Sequence, residues 1–384
     1  MDMKMKNIVM GSIAAAVLLA STSALAIDTK AKNMILMDYT TGEYLYEKDI
    51  AEPIPPASMS KLMTVYMIFD KIRDGSLSLD DTFKVSENAW RKGGAASGGS
   101  TMFLAIGDEV TVEQVLKGII IQSGNDACIV AAENISGDED SFVDAMNKKA
   151  KEIGLNNSNF ANVTGLPHPD HRMSVEDLAH LARKIIADYP QFYHFFSQKE
   201  FIYNNIRQGN RNPLLYSMPY ADGLKTGHTD EGGFCLTASA KKGDRRIIGV
   251  MTGLSSNKER SDEADKMMSW GFREYNNYTL KQKGDKIGDL PVWYGIDKTV
   301  PMVVSEDIVM TIKKNLRNQV KMTAVYDKPV KAPIQMGQQL GVLKIEVPEK
   351  PVKEVPLVAG QTINKVGLWG KIVANVKYLL SGEM

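Results

Sequence analysis

Near Asp285 the apolar patterning of the chain changes period, and no other feature constrains the fold more. Up to about Gly284 helical and strand patterns are mixed. Residues 33–38 and 43–47 read as short strands joined by Thr40-Thr41-Gly42. Residues 61–72 are apolar with helical spacing and follow Pro55-Pro56, a helix-opening signal. Residues 112–121 and 127–133 read as buried helix, and 175–186 as an amphipathic one. Residues 234–240 and 246–252 read as paired strands around Lys241-Lys242-Gly243-Asp244. Strands at both ends with helices between predict a sheet covered by helices.

Beyond Asp285 the runs are short and β-rich: 300–304, 308–312, 320–326 and 340–347, many of them separated by Pro, Gly or Asp. They predict a small all-β domain over 285–358, without a catalytic cluster. Two domains also suit a chain of 384 residues. The final segment, 359–384, differs again. On a helical wheel Val366, Leu368, Trp369, Ile372, Val373, Val376, Leu379 and Leu380 share one arc of about 160°. Lys371, Asn375, Tyr378 and Ser381 lie outside it, with Lys377 at its border. The segment is too short and too polar to span a bilayer. It predicts a helix lying in the membrane interface, with Trp369 as an anchor.

The first 26 residues carry the three parts of a secretory signal: Lys4 and Lys6, an uncharged run over 8–20, and Ser23-Ala24-Leu25-Ala26. The run of 13 residues falls short of the roughly 20 that a spanning helix needs. Cleavage after Ala26 leaves a domain over 27–284, and export permits disulfides. The only cysteines, Cys128 and Cys235, sit apart and without metal-ligand spacing, and read as two buried free thiols. Lys plus Arg and Asp plus Glu both number 46, so net charge gives no sign of a nucleic-acid partner.

Three fragments carry chemistry. In Ala57-Ser58-Met59-Ser60-Lys61, helical spacing stacks Ser58 beside Lys61. A serine hydroxyl needs a base to become a nucleophile, and a lysine serves once desolvation or positive neighbours lower its pKa. Alone, this pattern is also met as a capping serine beside a surface lysine. Ser123-Gly124-Asn125 presents a hydroxyl and an amide at a break between helical stretches; the plain alternative is a turn. Lys225-Thr226-Gly227 precedes the strand at 234–240, where the plain alternative is an exposed strand edge.

In this order the fragments resemble the Ser-x-x-Lys, Ser-Asp-Asn and Lys-Thr-Gly set of penicillin-binding proteins and related β-lactamases, with Gly124 in place of Asp. The stretches 121–128 and 225–230, and Trp270-Gly271-Phe272-Arg273, are similar to the low-molecular-mass penicillin-binding proteins, the D-alanyl-D-alanine carboxypeptidases. The resemblance covers signal, catalytic domain, β-rich domain and terminal anchor. It implies an α/β (α+β) transpeptidase-like domain, a small all-β domain and a C-terminal amphipathic helix.

The resemblance also implies roles. Ser58 is placed like the acylated nucleophile and Lys61 like its base. Ser123 and Asn125 complete the proton relay and hold the substrate amide. Lys225 supplies a positive field that keeps Lys61 partly neutral and draws the substrate carboxylate, with Thr226 as a carboxylate-binding hydroxyl. Gly227 belongs to the same motif, the backbone N–H groups of Ser58 and His228 form an oxyanion hole, and Arg260 lies near the terminal carboxylate. The substrate is a peptidoglycan pentapeptide ending in D-alanyl-D-alanine, β-lactams acylate the same serine, and no cofactor or metal is needed. The enzyme works from the periplasmic, outer face of the bacterial cytoplasmic membrane.

Two other patterns compete. Glu152-Ile153-Gly154-Leu155-Asn156 spells the deacylation motif of class A β-lactamases, but reads here as the end of a helix. His168-Pro169-Asp170-His171 has metal-ligating residue types, yet two prolines deny it a ligand register and it reads as a surface loop. The alternatives to a carboxypeptidase are a β-lactamase and a non-catalytic penicillin-binding sensor. The sensor lacks a spanning helix and a signalling domain in this sequence.

Overall fold

A computed structural model of the chain describes residues 27–381, so the signal read over residues 1–26 lies outside them. Met34–Asp38 is buried along its whole length. Its alternation assigns each side chain to a face: Ile35 and Met37 enter one core, Met34 and Leu36 the other. The strand pairs antiparallel with Tyr44–Lys48 on one side and Arg245–Leu254 on the other. Gly233–Lys242 follows, then Ala221–Thr229 at the free edge of this five-stranded sheet. The amphipathic helix Val175–Asp188 and the helix Lys61–Arg73 pack in the first core. Asn257–Glu274 covers the opposite face through Ala264, Met267 and Met268. Ser174 and Ser256 start their helices by accepting backbone N–H bonds three residues on.

One expected helix is corrected. Residues 112–121 do not form a single α-helix. Val112–Lys117 is α-helical, opened by a Thr111–Gln114 capping box, and Gly118–Gln122 widens into a π turn. The turn closes with Gly124 N–H donating to the Gly118 carbonyl, and Ser123 is held in the left-handed region at φ 66°. Such wide turns re-aim the residues that follow them.

In the β-rich region a six-stranded sheet runs Lys321–Tyr326, Gln339–Glu346, Lys353–Ala359, Thr299–Val304, Lys286–Trp293, Val330–Lys331. Thr299–Val304 alternates buried and less buried positions, so Val300, Met302 and Val304 fill one core. A second, two-stranded sheet pairs Tyr275–Lys281 with Ile308–Lys313, across the change of texture at residue 285. A chain of polar contacts ties the two regions. Arg245 Nε donates to Asp38 Oδ2 at 3.0 Å, and Asn277 Nδ2 to Asp38 Oδ1 at 3.0 Å. Thr311 then donates to Asn277 Oδ1 at 2.8 Å and lies 2.6 Å from Thr41 Oγ1. The last helix, Leu368–Ser381, leaves its apolar side chains exposed, Trp369 at 80% and Leu380 at 84%. Among the described residues no helix is long and apolar enough to cross a membrane.

Candidate active site

Ser58 sits in a 3₁₀ turn, Ala57–Ser60, that leads directly into the helix Lys61–Arg73. At three residues per turn, side chains at i and i+3 eclipse one another, and Lys61 Nζ lies 2.9 Å from Ser58 Oγ. Ala57, just before the serine, is left-handed at φ 49°. Gly165 packs on it: a Cβ there would meet the Ala57 carbonyl oxygen at 2.1 Å. Left-handed backbone at both Ala57 and Ser123 is the kind of local strain that gathers at functional sites.

Lys61 is fully buried and has three partners: Ser58 Oγ, Asn125 Oδ1 at 2.8 Å, and the carbonyl of Thr164. The last two can only accept. A neutral amine that donates its two hydrogens to them turns its lone pair toward the Ser58 hydroxyl. Burial lowers the Lys61 pKa to about 8, and the Arg211 charge pushes in the same direction. Lys225 is also buried and is driven well down, first by desolvation and then by the charges of Lys61 and Arg211. Arg211, which the sequence did not single out, is a further positive neighbour of Lys61. Two lysines in one dry site cannot readily both be charged.

Asn125 opens the helix Asn125–Ser136. The next residue, Asp126, is fully buried and accepts from Thr101 Oγ1 at 2.6 Å, Met102 N at 2.8 Å and Leu104 N at 3.2 Å. These bonds hold residues 101–104 against the helix and leave Ser100 in the cleft lining. Gly124 has no room for the aspartate of the common pattern, since its Cβ would meet Asp126 Oδ1 at 2.8 Å and Met102 N at 3.0 Å. Ser123 Oγ is buried and has no hydrogen-bond partner among the described residues.

Lys225, Thr226 and Gly227 lie within the edge strand Ala221–Thr229, beside the nucleophile turn. His228 packs tilted against Phe234 with ring centroids 4.0 Å apart. Arg260, on the helix Asn257–Glu274, is buried, and burial lowers it to about 10. Its one good bond is to Asn257 Oδ1 at 2.8 Å, and its Nε finds no partner. Ser58, Ser123, Thr226, Gly227, His228 and Arg260 line one cleft of 360 Å³, with Lys61 and Asn125 behind Ser58. All nine residues singled out in the sequence are thus gathered at one place. Sequence reasoning missed four more residues of the lining, Ser100, Arg211, Phe234 and Asn257; the Arg211 guanidinium donates to Ser100 Oγ at 2.7 Å. No spacing rule marks them; the fold alone brings residue 211 opposite residue 58.

Residues 20–256 match the family described as D-alanyl-D-alanine carboxypeptidase, and residues 275–365 match the penicillin-binding protein 5 C-terminal domain. The chain belongs to the D-alanyl-D-alanine carboxypeptidase family. D-alanyl-D-alanine carboxypeptidase DacD of Salmonella typhimurium is 38% identical over 350 residues, 90% of this chain and 89% of that protein. DacF of Bacillus subtilis is 38% identical over 352 residues, 90% of this chain and 88% of that protein. Penicillin binding protein 5 from Haemophilus influenzae superposes with a TM-score of 0.78 at 33% identity, over 88% of this chain and 98% of that one. This carboxypeptidase is a serine-type hydrolase and a penicillin-binding protein, of the family that acts on peptidoglycan peptides. It carries the expected α/β peptidase domain followed by an all-β domain and a terminal helix.

The competing patterns resolve differently. Glu152 ends the helix Glu139–Glu152, pairs with Lys149 at 3.1 Å, and lies outside the cleft. Cys128 and Cys235 are buried free thiols, pushed up by burial to about 12 and about 11. His168 and Asp170 are exposed, as a surface loop requires, but His171 is 2% exposed and is corrected to a core residue.

Proposed function

We propose that Ser58 is the nucleophile that removes the terminal D-alanine from peptidoglycan stem peptides, with Lys61 as its general base. The three-partner arrangement around Lys61 carries this reading. Lys61 takes the Ser58 proton as Oγ attacks the penultimate D-alanyl carbonyl. The carbonyl oxygen gains negative charge in front of the Ser58 and His228 backbone N–H groups. Collapse breaks the peptide bond, and the leaving amine takes a proton through the relay of Lys61, Ser123 and Asn125. Water then attacks the acyl-serine ester with Lys61 again as base, releasing the shortened peptide and regenerating Ser58. The free C-terminal carboxylate meets Thr226, Arg260 and Lys225, donors suited to such an anion. A β-lactam offers a similar amide and carboxylate and acylates the same serine.

We further propose that residues 1–26 direct export, and that the enzyme works at the periplasmic face of the cytoplasmic membrane. The exposed apolar side chains of Leu368–Ser381 support an interfacial anchor. The units are 27–284 for catalysis, 285–358 for the β-rich domain and 359–384 for the anchor.

The test incubates the protein with benzylpenicillin and with a pentapeptide ending in D-alanyl-D-alanine, and follows D-alanine release and the mass of the peptide carrying Ser58. D-alanine release with a long-lived adduct on Ser58 is expected, and neither in Ser58→Ala. Rapid adduct loss without D-alanine release would point to a β-lactamase, and a stable adduct without release to a sensor. Removing residues 366–384 is expected to abolish binding to anionic phospholipid vesicles and to leave D-alanine release unchanged.

A further inference from the structure

The buried His171 belongs to no step above, yet it sits at the back of one. Residues 160–165 form a strap behind Ser58 and Lys61, and several of its backbone polar groups are held by side chains, among them Asn162 Oδ1, which accepts from Thr164 N–H at 3.1 Å and Gly165 N–H at 2.7 Å. Asn147 brackets Phe160, accepting from its N–H and donating to its carbonyl, both at 2.8 Å. His171 Nδ1 accepts from Ala161 N–H at 3.1 Å. Thr64 Oγ1 donates to the Val163 carbonyl at 2.9 Å. Lys61 donates to the Thr164 carbonyl. The acceptor that orients the Lys61 amine is therefore three residues from the bond that His171 makes.

Two observations show that closing the loop is not the whole of what His171 does. With Nδ1 accepting, the ring proton lies on Nε2, which is buried and finds no partner among the described residues. An unmade buried donor carries a desolvation cost that a side chain kept for packing alone would avoid. The ring also lies within range of the Lys61 charge from the helix Lys61–Arg73, and of His168 and Arg172 on its own segment. Burial first, and then these cationic neighbours, favour a neutral imidazole. Its edge-to-face contact with Phe160, centroids 5.8 Å apart, fixes the ring plane.

We propose that His171 is a positioning residue for acylation: its neutral imidazole pins Ala161, and through the strap holds the Thr164 carbonyl against the Lys61 amine. This rests on the assignment of Ser58 and Lys61 made above. If the strap drifts, the amine loses the acceptor that turns its lone pair toward Ser58. Water then reaches Lys61, and its pKa climbs back toward that of a solvated lysine.

The experiment compares benzylpenicillin acylation of wild type, His171→Phe and His171→Gln from about pH 6 to pH 10. Phenylalanine keeps the ring and its packing but has no acceptor; the glutamine amide oxygen can accept from Ala161. His171→Phe is expected to acylate about tenfold more slowly, the scale of loss when a reacting group is slightly misplaced. Its acid limb should also move up by about half a pH unit or more. His171→Gln should stay within about threefold of wild type. Asn159→Ala, which removes only the outer strap bond to the Asp170 carbonyl, should lower the melting temperature without moving the pH profile. A His171→Phe enzyme with the wild-type rate and profile, or a His171→Gln enzyme as slow as His171→Phe, would overturn the proposal. Should His171→Phe fail to fold, ¹⁵N spectra of wild type decide. The His171 ring signals should move when Ser58 is acylated, and unmoved signals count against the inference. Failure of wild type to form any adduct on Ser58 would instead sink the proposed function.

Discussion

Lys61→Arg is the substitution that asks most of the proposed chemistry. Burial brings Lys61 from 10.5 to about 8. At pH 7 roughly one amine in ten is then free, against roughly one in three thousand for a solvated lysine. The gap is worth about 3 kcal/mol, at about 1.4 kcal/mol for each tenfold step. That energy is the cost of keeping an ammonium in the dry site. The folded value lies below the unfolded one, so the unfolded chain binds more protons between about pH 8 and 10.5, and stability rises across that window. Arginine stays charged throughout and cannot accept the Ser58 proton. Loss of a positioned base costs about 10²–10⁴-fold, and with no second base beside Ser58 the upper end applies. The assay is the second-order rate of penicilloylation, read by mass on the Ser58 peptide, with circular dichroism to confirm folding. In wild type the rate should rise about tenfold per pH unit and level near pH 8. A folded Lys61→Arg enzyme within about tenfold of wild type would refute the assignment, as would a wild-type limb that levels only near pH 10.5.

Three further outcomes follow from packing and charge. Gly124→Asp, which restores the common motif, places a carboxylate against buried Asp126; thermal melts should show a loss of about 2–4 kcal/mol, with slower acylation. Asp38→Ala strips the partner from buried Arg245 and should cost about 3–5 kcal/mol, seen as a lower urea midpoint. His171 falls from 6.5 to about 4 because it is buried. The unfolded chain therefore binds the extra proton between those values, and about 3 kcal/mol of stability present above pH 6.5 is lost as pH drops toward 4. Denaturant titrations of His171→Gln should show a flatter acid side.

By itself the sequence determined the elements that rest on local periodicity, and the motifs that rest on residue type. The apolar run at 33–38 and the helical spacing at 61–72 became Met34–Asp38 and Lys61–Arg73 almost unchanged, because an apolar run is buried on all its sides whichever core it meets. Ser58 and Lys61 were paired by spacing alone, since eclipsed positions in one turn need no tertiary help. Whatever depends on residues distant in the chain was decided only by the tertiary structure. The π turn at Gly118–Gln122 breaks a run of helical texture whose single glycine, Gly118, a helix interior also tolerates. The first neighbour to help depress Lys61 is Arg211, 150 positions away and unremarkable in sequence. His171 read as loop because His, Pro and Asp are loop residues; the fold buries its ring against Phe160 while its neighbours stay in water. Desolvation and opposed charges set the pKa values at this site, and both are properties of what surrounds a side chain in space, which a one-dimensional pattern does not record.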